Sequence, residues 1–492
     1  MRQDKDRVVL ITGGAAGIGW ATARRFAAAG DRVVIADIDG ARAEARAAEL
    51  TAAGFGAGHS GIATDIADPA QVQAMIGHCT DTLGGLDVLV NNAGRIDTGG
   101  TMVVDQPLAA FNALLNVNLR GSYRAAMLAA EVMAKAGGGG IVNMASGAAL
   151  RAIPLRNGYS ASKAGVVAYT RDLACKLAGS NIRVNALLPG YIRTELVDAL
   201  IANNRVDPVR VTQRIPLGRM GRPEEMAAVV YFLASPSASY MAGSLFIADG
   251  GSQAYGGSDD ASQQRGAAPQ APPQGRPVVV VAGAAPDIRS AFANALIANN
   301  AEAVVLDDAA GGNLESYGAA LSAEIANVAT QRGRLDGVIN LHGAARVIAG
   351  GEGRSENDTD DHLARAFLTA QAAGRVMLKQ GYGAMVNVTS IRGQVALDGN
   401  GLLAAETAGI GMLGRTLACE WGGSGIRANT IAAGAVEGGI DWTGRIPLGR
   451  PANWREIADV AAFLAGPDSG YVNGSIIAVD GGLSAYAGSD LA

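Results

Sequence analysis

The sequence is poor in cysteine and in long apolar runs. Its 3 cysteines, Cys79, Cys175 and Cys419, are far apart in the chain and have no histidine clusters beside them. This spacing argues against a disulfide framework and against a structural zinc site, and it suits a reducing compartment. No apolar run approaches the roughly 18 residues that a membrane helix needs. We therefore expect a cytoplasmic chain with neither a metal nor a membrane partner.

Charged residues are also scarce, at 17% of the 492 residues, whereas 49% are hydrophobic. This composition describes buried core and excludes general disorder, which requires few apolar groups and a high net charge. Residues 1–253 contain 24 basic and 21 acidic side chains, and residues 254–492 contain 16 and 24. Neither half is basic enough to indicate nucleic-acid binding.

The chain contains one long internal repeat. RIPLGR occurs at 214–219 and again at 445–450, and the offset between matching motifs falls from 270 near the start to 231 near the end. The second copy has therefore lost segments. Residues 254–277, between the copies, are rich in Gly, Ser, Gln, Ala and Pro, a composition typical of flexible linkers. We predict domains at 1–253 and 278–492 joined by this linker.

Short β-branched runs alternate with longer helical patterns in each copy. The runs predicted as buried strands of the first copy are VVLI (8–11), VVIA (33–36), VLVN (88–91), IVNM (141–144), IRVNAL (182–187) and LFIA (245–248). Strands that are apolar on both faces and separated by helices indicate a parallel sheet covered by helices. We predict an α/β chain of two tandem Rossmann-like, doubly wound parallel-sheet domains.

A glycine-rich turn follows the first predicted strand. Gly13, Gly17 and Gly19 stand where that strand leads into a helix. Such a turn lets backbone N–H groups approach a pyrophosphate, although a plain strand–helix turn also uses glycines. The next strand ends at Asp37, whose carboxylate would bind an adenosine ribose and repel a 2′-phosphate. Because no Arg or Lys lies in the loop or directly after Asp37, the pattern favours NAD(H) over NADP(H).

Tyr159 and Lys163 are four residues apart in a helical pattern and therefore share one helix face. A phenol has an unperturbed pKa of about 10, which a nearby cation lowers, so the pair is suited to moving a proton. The alternative is an exposed helix pair. Lysine is scarce, however, with 5 in the chain against 35 arginines. A lysine at this position is therefore less easily explained as a surface cation.

These motifs, with Asn91-Asn92-Ala93-Gly94, Ser146 and Pro189-Gly190, resemble those of the short-chain dehydrogenase/reductase family over residues 7–251. The resemblance implies an oxidoreductase of secondary alcohols or ketones in which Tyr159 is the general acid/base. It implies that Lys163 lowers the Tyr159 pKa and binds the nicotinamide ribose. It further implies that Ser146 bonds the substrate oxygen and that Asn118 holds a water on the proton path.

The resemblance also implies a set of contacts with the cofactor NAD. In it, Asp65 and Ile66 flank the adenine, and Thr194 contacts the nicotinamide carboxamide. The complete set is Gly13, Ala16, Gly17, Ile18, Gly19, Asp37, Asp65, Ile66, Asn92, Ala93, Gly94, Tyr159, Lys163, Pro189, Gly190, Ile192 and Thr194.

Substrate choice is expected to depend on the residues around this set. The segment after Gly190 resembles the mobile substrate lid of the family. The arginines near the predicted site are Arg95, Arg151, Arg156, Arg193, Arg205 and Arg210. Two interpretations remain open for them: one or two bind a carboxylate, sulfonate or phosphate of the substrate, or all serve as solubilising cations of an Arg-rich chain.

The second copy lacks the chemistry of the first. Gly17 and Gly19 align with Asp287 and Arg289, Tyr159 with Leu403 and Lys163 with Thr407, and Ser390 alone survives from the catalytic set. Leucine cannot transfer a proton, so we predict an inactive domain that does not bind NAD. Its core pattern is intact. Because members of the family commonly form dimers and tetramers, the resemblance suggests a built-in partner subunit and a homodimer that is a pseudo-tetramer of domains.

The leading hypothesis is thus an NAD-dependent oxidoreductase of a small alcohol or ketone, with its chemistry confined to residues 1–253. The alternative is an NAD-binding sensor or scaffold without turnover. The set of Asn118, Ser146, Tyr159 and Lys163 disfavours this alternative, because a sensor needs no proton relay.

Overall fold

The structure is a computed structural model that contains two compact units. It describes residues 6–96, 101–151, 153–257, 260–307, 313–344, 362–395, 397, 401–439 and 442–486, except the side chain at position 402. The first unit comprises Met1–Val206 and Gly221–Ile247, and the second comprises Asp207–Met220 and Ala248–Ala492. The units therefore differ from the two halves of the repeat, because a segment of the first copy's lid region belongs to the second unit.

A seven-stranded sheet forms the centre of the first copy. Its strands are β1 (Val8–Thr12), β2 (Arg32–Asp37), β3 (Ser60–Ala63), β4 (Val88–Asn91), β5 (Gly139–Met144), β6 (Ile182–Pro189) and β7 (Leu245–Ala248). Their order is β3-β2-β1-β4-β5-β6-β7, with parallel pairing from β3 to β6. The order reverses between β1 and β4, and a crevice at the carboxyl ends of strands is expected at such a reversal.

Helices cover this sheet. They are α1 (Gly17–Ala28), α2 (Gly40–Ala52), α3 (Pro69–Leu83), α4 (Leu108–Leu115), α5 (Ser122–Lys135), α6 (Asn157–Leu177), α7 (Glu195–Ala202), α8 (Pro208–Thr212) and α9 (Pro223–Ala234). A π-helical segment, Asn116–Gly121, joins α4 to α5. The predicted doubly wound α/β architecture is confirmed.

The six strands predicted for the first copy are present, and β3 is an additional strand. β3 has the sequence SGIA, and none of its residues is fully buried. It lies at the edge of the sheet beside β2. An edge strand without a β-branched apolar run gives little sequence signal, which explains why the pattern did not predict it.

The second copy contains a six-stranded sheet of the same kind. Its strands are β8 (Val278–Ala282), β9 (Glu302–Val305), β10 (Gly337–Asn340), β11 (Gly383–Ser390), β12 (Ile426–Ala433) and β13 (Ile476–Val479), in the order β13-β12-β11-β10-β8-β9. The described helices are α10 (Pro286–Ala298), α11 (Leu314–Arg332), α12 (His362–Gln380), α13 (Gly401–Trp421) and α14 (Trp454–Ala465). Val280, Ile325 and Met377 are fully buried in one cluster, so the predicted core is confirmed. Within the described residues, this sheet has no counterpart of β3.

The segment between the copies is part of the second unit. Its composition predicts a flexible linker, and its described residues form neither helix nor strand. The backbone N–H of Ala267 nevertheless donates to Leu378 O at 2.7 Å, and that of Gln270 donates to Gly381 O at 2.9 Å. Backbone hydrogen bonds to the end of α12 therefore hold a segment whose sequence alone indicated no partner. No helix in the described part of the chain is long and apolar enough to cross a membrane.

Candidate active site

The glycine-rich turn forms a cradle at the start of α1. Gly13 and Gly17 have φ values of +62° and +52°, a region that favours glycine. A Cβ atom added at Gly19 would lie 2.1 Å from Gly13 O, and one at Gly13 would lie 2.9 Å from Ala93 Cα. The N-cap residue Ala16 makes no side-chain cap, and the first turn of α1 contains no acidic residue. The cradle and the uncapped N–H groups thus fit the pyrophosphate of a dinucleotide.

Asn92 connects the glycine turn to the end of β4 through hydrogen bonds. Its Nδ2 donates to Thr12 O at 3.1 Å and to Gly13 O at 2.9 Å. The backbone N–H of Ala93 donates to Thr12 Oγ1 at 3.0 Å. These bonds fix the position of the turn relative to the next strand of the sheet. Asn92 and Ala93 therefore shape the cradle from outside the glycine motif.

The expected adenosine end of the groove contains Asp37 and Asp65. Asp37 Oδ2 accepts a 3.0 Å hydrogen bond from Ala15 N, so the carboxylate at the end of β2 faces the glycine turn. Asp65 Oδ1 accepts from Ala67 N at 2.9 Å, and the neighbouring Ile66 is buried. These residues lie at the carboxyl ends of β2 and β3, at the same edge of the sheet as the cradle.

Two arginines that sequence reasoning did not consider lie near this end. Arg42 Nη2 is 2.8 Å from Glu195 Oε2, and this hydrogen bond, with weaker effects of the Asp37 and Asp39 charges, raises the pKa of Arg42. Arg46 Nε donates to Ala15 O at 3.3 Å. The sequence contains no cation directly after Asp37, but the first turns of α2 bring one close to it. The proximity of these arginines to the glycine turn depends on the position of α2 in the fold, so the sequence alone does not predict it.

The predicted catalytic side chains converge at the start of α6. Tyr159 makes a side-chain hydrogen bond with Ser146, which follows β5. Lys163 Nζ lies 5.8 Å from the centroid of the Tyr159 ring and donates to Met144 O at 2.7 Å. A Cβ atom at Gly94 would lie 3.5 Å from Lys163 Nζ, so the glycine leaves that space open beside the ammonium.

Burial dominates the ionisation of this pair. It raises the pKa of Tyr159, against smaller lowering effects of the Ser146 hydrogen bond and of the Arg156 charge. Burial also lowers the pKa of Lys163 to about 8. The sequence predicted that Lys163 would lower the phenol pKa. That effect of Lys163 stays a prediction. In the structure, the Ser146 hydrogen bond and the Arg156 charge lower the phenol pKa, and desolvation of the phenol outweighs both.

Asn118 lies in the π-helical segment between α4 and α5, and such segments are frequent at functional sites. Its Oδ1 accepts from Arg95 N at 2.8 Å, and its Nδ2 donates to Arg95 O at 2.9 Å and to Ser162 Oγ at 3.1 Å. Ser162 Oγ donates in turn to Tyr159 O at 2.8 Å. Asn118 therefore connects the loop after β4 to the helix of Tyr159, and its water-holding role stays a prediction.

The residues after β6 approach the glycine cradle from the lid side. β6 ends at Pro189, and Ile192 is buried and pairs with Gly221 through an isolated β-bridge. Thr194 is the N-cap of α7, and a Cβ atom at Gly17 would lie 3.3 Å from its Cγ2. Thr194 thus faces the turn that begins α1.

Comparison with known proteins identifies the family. A family model described as enoyl-(acyl carrier protein) reductase matches residues 13–253 and 316–484. An uncharacterized short-chain type dehydrogenase/reductase of Sinorhizobium fredii is 34% identical over 520 residues, covering 97% of this chain and 92% of its own. The chain belongs to the short-chain dehydrogenase/reductase family. It is a tandem short-chain oxidoreductase, and proteins of this family use nicotinamide cofactors.

Other relatives of the short-chain family match one copy. The 3-oxoacyl-[acyl-carrier-protein] reductase FabG of Thermotoga maritima is 38% identical over 245 residues, covering 50% of this chain and 97% of that protein. Cis-4-hydroxycyclohexanecarboxylate dehydrogenase of Sinomonas cyclohexanicum is 40% identical over 251 residues, covering 50% of this chain and 96% of that protein. Among solved structures, levodione reductase matches with 36% identity and a TM-score of 0.49, covering 51% of this chain and 100% of that chain.

In the second short-chain copy, side chains fill the positions that form the cradle of the first. Arg289, which aligns with Gly19, is buried; its Nη1 donates to Leu306 O, and its Nη2 lies 3.5 Å from Asp307 Oδ1. His342, which aligns with Ala93, is buried and hydrogen bonds Tyr317 at 2.6 Å. These residues do not fit a dinucleotide.

The catalytic positions of the second copy are likewise occupied by structural contacts. Leu403 is buried, and Thr407 Oγ1 donates to the Leu403 carbonyl at 2.9 Å within its own helix. Ser390 Oγ accepts from Arg392 N at 3.3 Å, as Ser146 Oγ accepts from the backbone N–H two residues later. Ser390 therefore makes the same loop contact as Ser146, and this structural contact accounts for the serine without a catalytic role.

Proposed function

We propose that the chain is an NAD(H)-dependent dehydrogenase or reductase of a secondary alcohol or ketone, with turnover confined to the first copy. The observation that carries this proposal is the Ser146–Tyr159 hydrogen bond beside buried Lys163, at the same sheet edge as an open glycine cradle. The second copy has none of these three features at its aligned positions, all of which are described.

Bound NAD supplies the hydride acceptor for oxidation, and NADH supplies the donor for reduction. In oxidation, the phenolate form of Tyr159 would accept the hydroxyl proton of the carbinol while the bound cofactor takes up the hydride. Ser146 holds the substrate oxygen through a hydrogen bond. Reduction reverses these steps, with Tyr159 as the proton donor. Lys163 favours the phenolate during the reaction because its ammonium lies on the same helix face.

The charges at the adenosine end support NAD(H) over NADP(H). Asp37 faces the glycine turn, and a carboxylate there repels a 2′-phosphate. Arg42 could offset that repulsion, but its guanidinium is paired with Glu195 at 2.8 Å. Arg46 is likewise paired with Glu49 at 2.6 Å. The nearby cations are thus neutralised by carboxylates of the chain itself.

A Tyr159→Phe variant tests the chemistry. We expect kcat to fall by roughly 10²–10⁴, the usual contribution of a general acid or base, with NADH affinity unchanged within about threefold. Tyr169→Phe is the matched control, because Tyr169 is also a buried tyrosine of α6 and its hydroxyl donates to Ser122 Oγ at 3.0 Å. A panel of hydroxy acids, acyl thioesters, sugars, steroids and cyclic alcohols with NAD⁺ supplies the substrate. Retained turnover in Tyr159→Phe would refute the assignment, and NADH binding without any turnover would favour a sensor.

We further propose that the second copy is a fused partner subunit. Within the second unit, the end of the first copy packs on the end of the second: Gly250 N donates to Tyr471 O at 3.0 Å, and Tyr471 OH donates to Arg219 O at 3.2 Å. Tyr471 is almost fully buried. Two such chains would then form a pseudo-tetramer of short-chain domains. Mass in solution tests this assembly, and a strict monomer would contradict it.

The same proposal predicts one NADH site per chain, because Arg289 and His342 fill the second groove. Calorimetric titration measures the stoichiometry, and two sites per chain would contradict the inactive role. We also propose a cytoplasmic location, which is supported by the low number and wide spacing of the cysteines.

A further inference from the structure

Arg156 differs from the other arginines near the active site. Arg95, Arg151, Arg193, Arg205 and Arg210 are exposed, whereas Arg156 is half-buried. Within the part of the chain that the structure describes, its Nη1 atom is buried and has no hydrogen-bond partner. A buried donor of a charged group is costly when it is unsatisfied, so it indicates an acceptor that a ligand brings.

The position of Arg156 directs this donor to the reaction site. Arg156 is the N-cap residue of α6, three residues before Tyr159, so the two side chains leave the helix about one turn apart. The guanidinium is close enough for its charge to act on the Tyr159 phenol. Ser160, which directly follows Tyr159, also has a buried hydroxyl oxygen with no partner among the described residues. Two unsatisfied polar groups therefore flank the catalytic tyrosine.

The surroundings of Arg156 are apolar. The segment between Ser146 and Tyr159 exposes Leu150, Ile153 and Leu155. Leu155 has a φ of +64°, a strained conformation for a leucine that is typical of ligand sites. An apolar surface with one unsatisfied guanidinium N–H donor suits a ligand that combines a carbon frame with a negative charge.

A second apolar segment is held beside this one. Asn157 Nδ2 donates to Thr101 O at 3.3 Å and to Gln106 Oε1 at 3.2 Å. The segment between these two partners exposes the side chains of Met102, Val103 and Val104. The residue next to Arg156 therefore anchors a further apolar surface at the start of α6.

We propose that Arg156 is the residue that recognises substrate and that the substrate is an oxyanion, a hydroxy acid or oxo acid on an apolar carbon frame. This inference rests on the proposed function, because the alcohol or ketone carbon must lie at Tyr159. The anion then lies on the same side of the start of α6 as the reacting oxygen, because Arg156 and Tyr159 are three residues apart. A planar guanidinium binds a carboxylate or sulfonate through paired N–H donors, which a lysine cannot reproduce.

Matched pairs of anionic and neutral alcohols test the proposal on the full-length chain. The pairs are 3-hydroxybutyrate and 4-hydroxycyclohexanecarboxylate, each with its neutral carboxamide. We expect at least one carboxylate to exceed its amide about tenfold in kcat/KM. Arg156→Met should lower the carboxylate-to-amide ratio of kcat/KM by roughly 10- to 100-fold, mainly through KM for the carboxylate. Because the Arg156 charge also lowers the Tyr159 pKa, a loss of kcat common to both members of a pair is expected and does not change this ratio. Arg156→Lys should recover part of the loss.

Two controls separate recognition from folding and from the proposed chemistry. Arg151→Met removes an exposed arginine of the same loop and should leave the carboxylate preference unchanged. Arg156→Gln keeps a neutral donor in case the methionine variant does not fold. If Arg156→Met lowered both members of every pair equally, or if wild type preferred the amides, the inference would be overturned.

A failure of the proposed proton-transfer chemistry can be distinguished from a failure of the Arg156 proposal. Turnover that survives in Tyr159→Phe would refute the proton-transfer assignment while the Arg156 preference still held. If wild type turned over none of these compounds, calorimetry in the presence of NADH would measure the affinities of the carboxylates and the amides and so test the role of Arg156 in recognition. A carboxylate preference that Arg156→Met abolishes would support the inference, and equal binding of both would overturn it.

Discussion

The glycine cradle makes Gly19→Ala an informative perturbation, because two effects of opposite sign compete. Gly19 lies in the first turn of α1, where alanine has a helix propensity about 1 kcal/mol better than glycine. The added Cβ would lie 2.1 Å from Gly13 O and 2.6 Å from Asn92 Nδ2. Ordinary contact begins near 3.4 Å, so the turn must move by more than 1 Å. Overpacking of this kind costs about 1–3 kcal/mol, so we expect a net destabilisation of up to about 2 kcal/mol.

The effect on cofactor binding should be larger than the effect on stability. A shift of Gly13 breaks the 2.9 Å bond from Asn92 and moves N–H groups away from the pyrophosphate position. The loss of one hydrogen bond to a charged group costs about 1.5–3 kcal/mol, so we expect NADH affinity to fall by roughly 10- to 100-fold in a fluorescence titration. Gly179→Ala is the control, because nothing lies within 4 Å of its added Cβ. If Gly19→Ala bound NADH with an affinity within threefold of wild type, the proposed role of the cradle in cofactor binding would be refuted.

Three further perturbations test charge and burial. Asp31→Asn should lower the free energy of unfolding in urea by about 3–5 kcal/mol, because Arg7 and Asp31 form a fully buried bidentate pair. The control is Asp6→Asn, which removes an exposed ion pair with Arg32 and should lower the free energy of unfolding by at most about 1 kcal/mol. Lys163→Met should abolish turnover yet stabilise the chain by about 3 kcal/mol at pH 7. Burial lowers the Lys163 pKa from about 10.4 in the unfolded chain to about 8, and each pKa unit corresponds to about 1.4 kcal/mol, so wild type loses stability as the pH falls between these values. The difference between the variant and wild type should disappear above about pH 10.5. An equal effect from exposed Lys176→Met would contradict this reasoning. Asp37→Ser should raise the NADP/NAD ratio of kcat/KM by roughly 10- to 100-fold, and an unchanged ratio would argue against the adenosine-site assignment.

Local patterns in the sequence were sufficient to predict most of the fold. Strands buried on both faces produce continuous apolar runs, so VVLI and IVNM could be recognised without tertiary information. β3 could not, because an edge strand such as SGIA needs no such run. The repeat and its substitutions predict an inactive second copy, and this stays a prediction. The structure adds that Arg289 and His342 occupy the corresponding groove.

Residue types at short, fixed spacings were enough to predict the duplicated α/β architecture, the family and the candidate set around Tyr159. Contacts between distant segments decide that Arg156 is half-buried with a buried Nη1 atom, that Glu195 pairs with Arg42, and that burial dominates the pKa of Tyr159. They also decide that residues 207–220 belong to the second unit. These properties depend on solvent exclusion and on contacts between residues far apart in the chain, and local sequence patterns do not encode either.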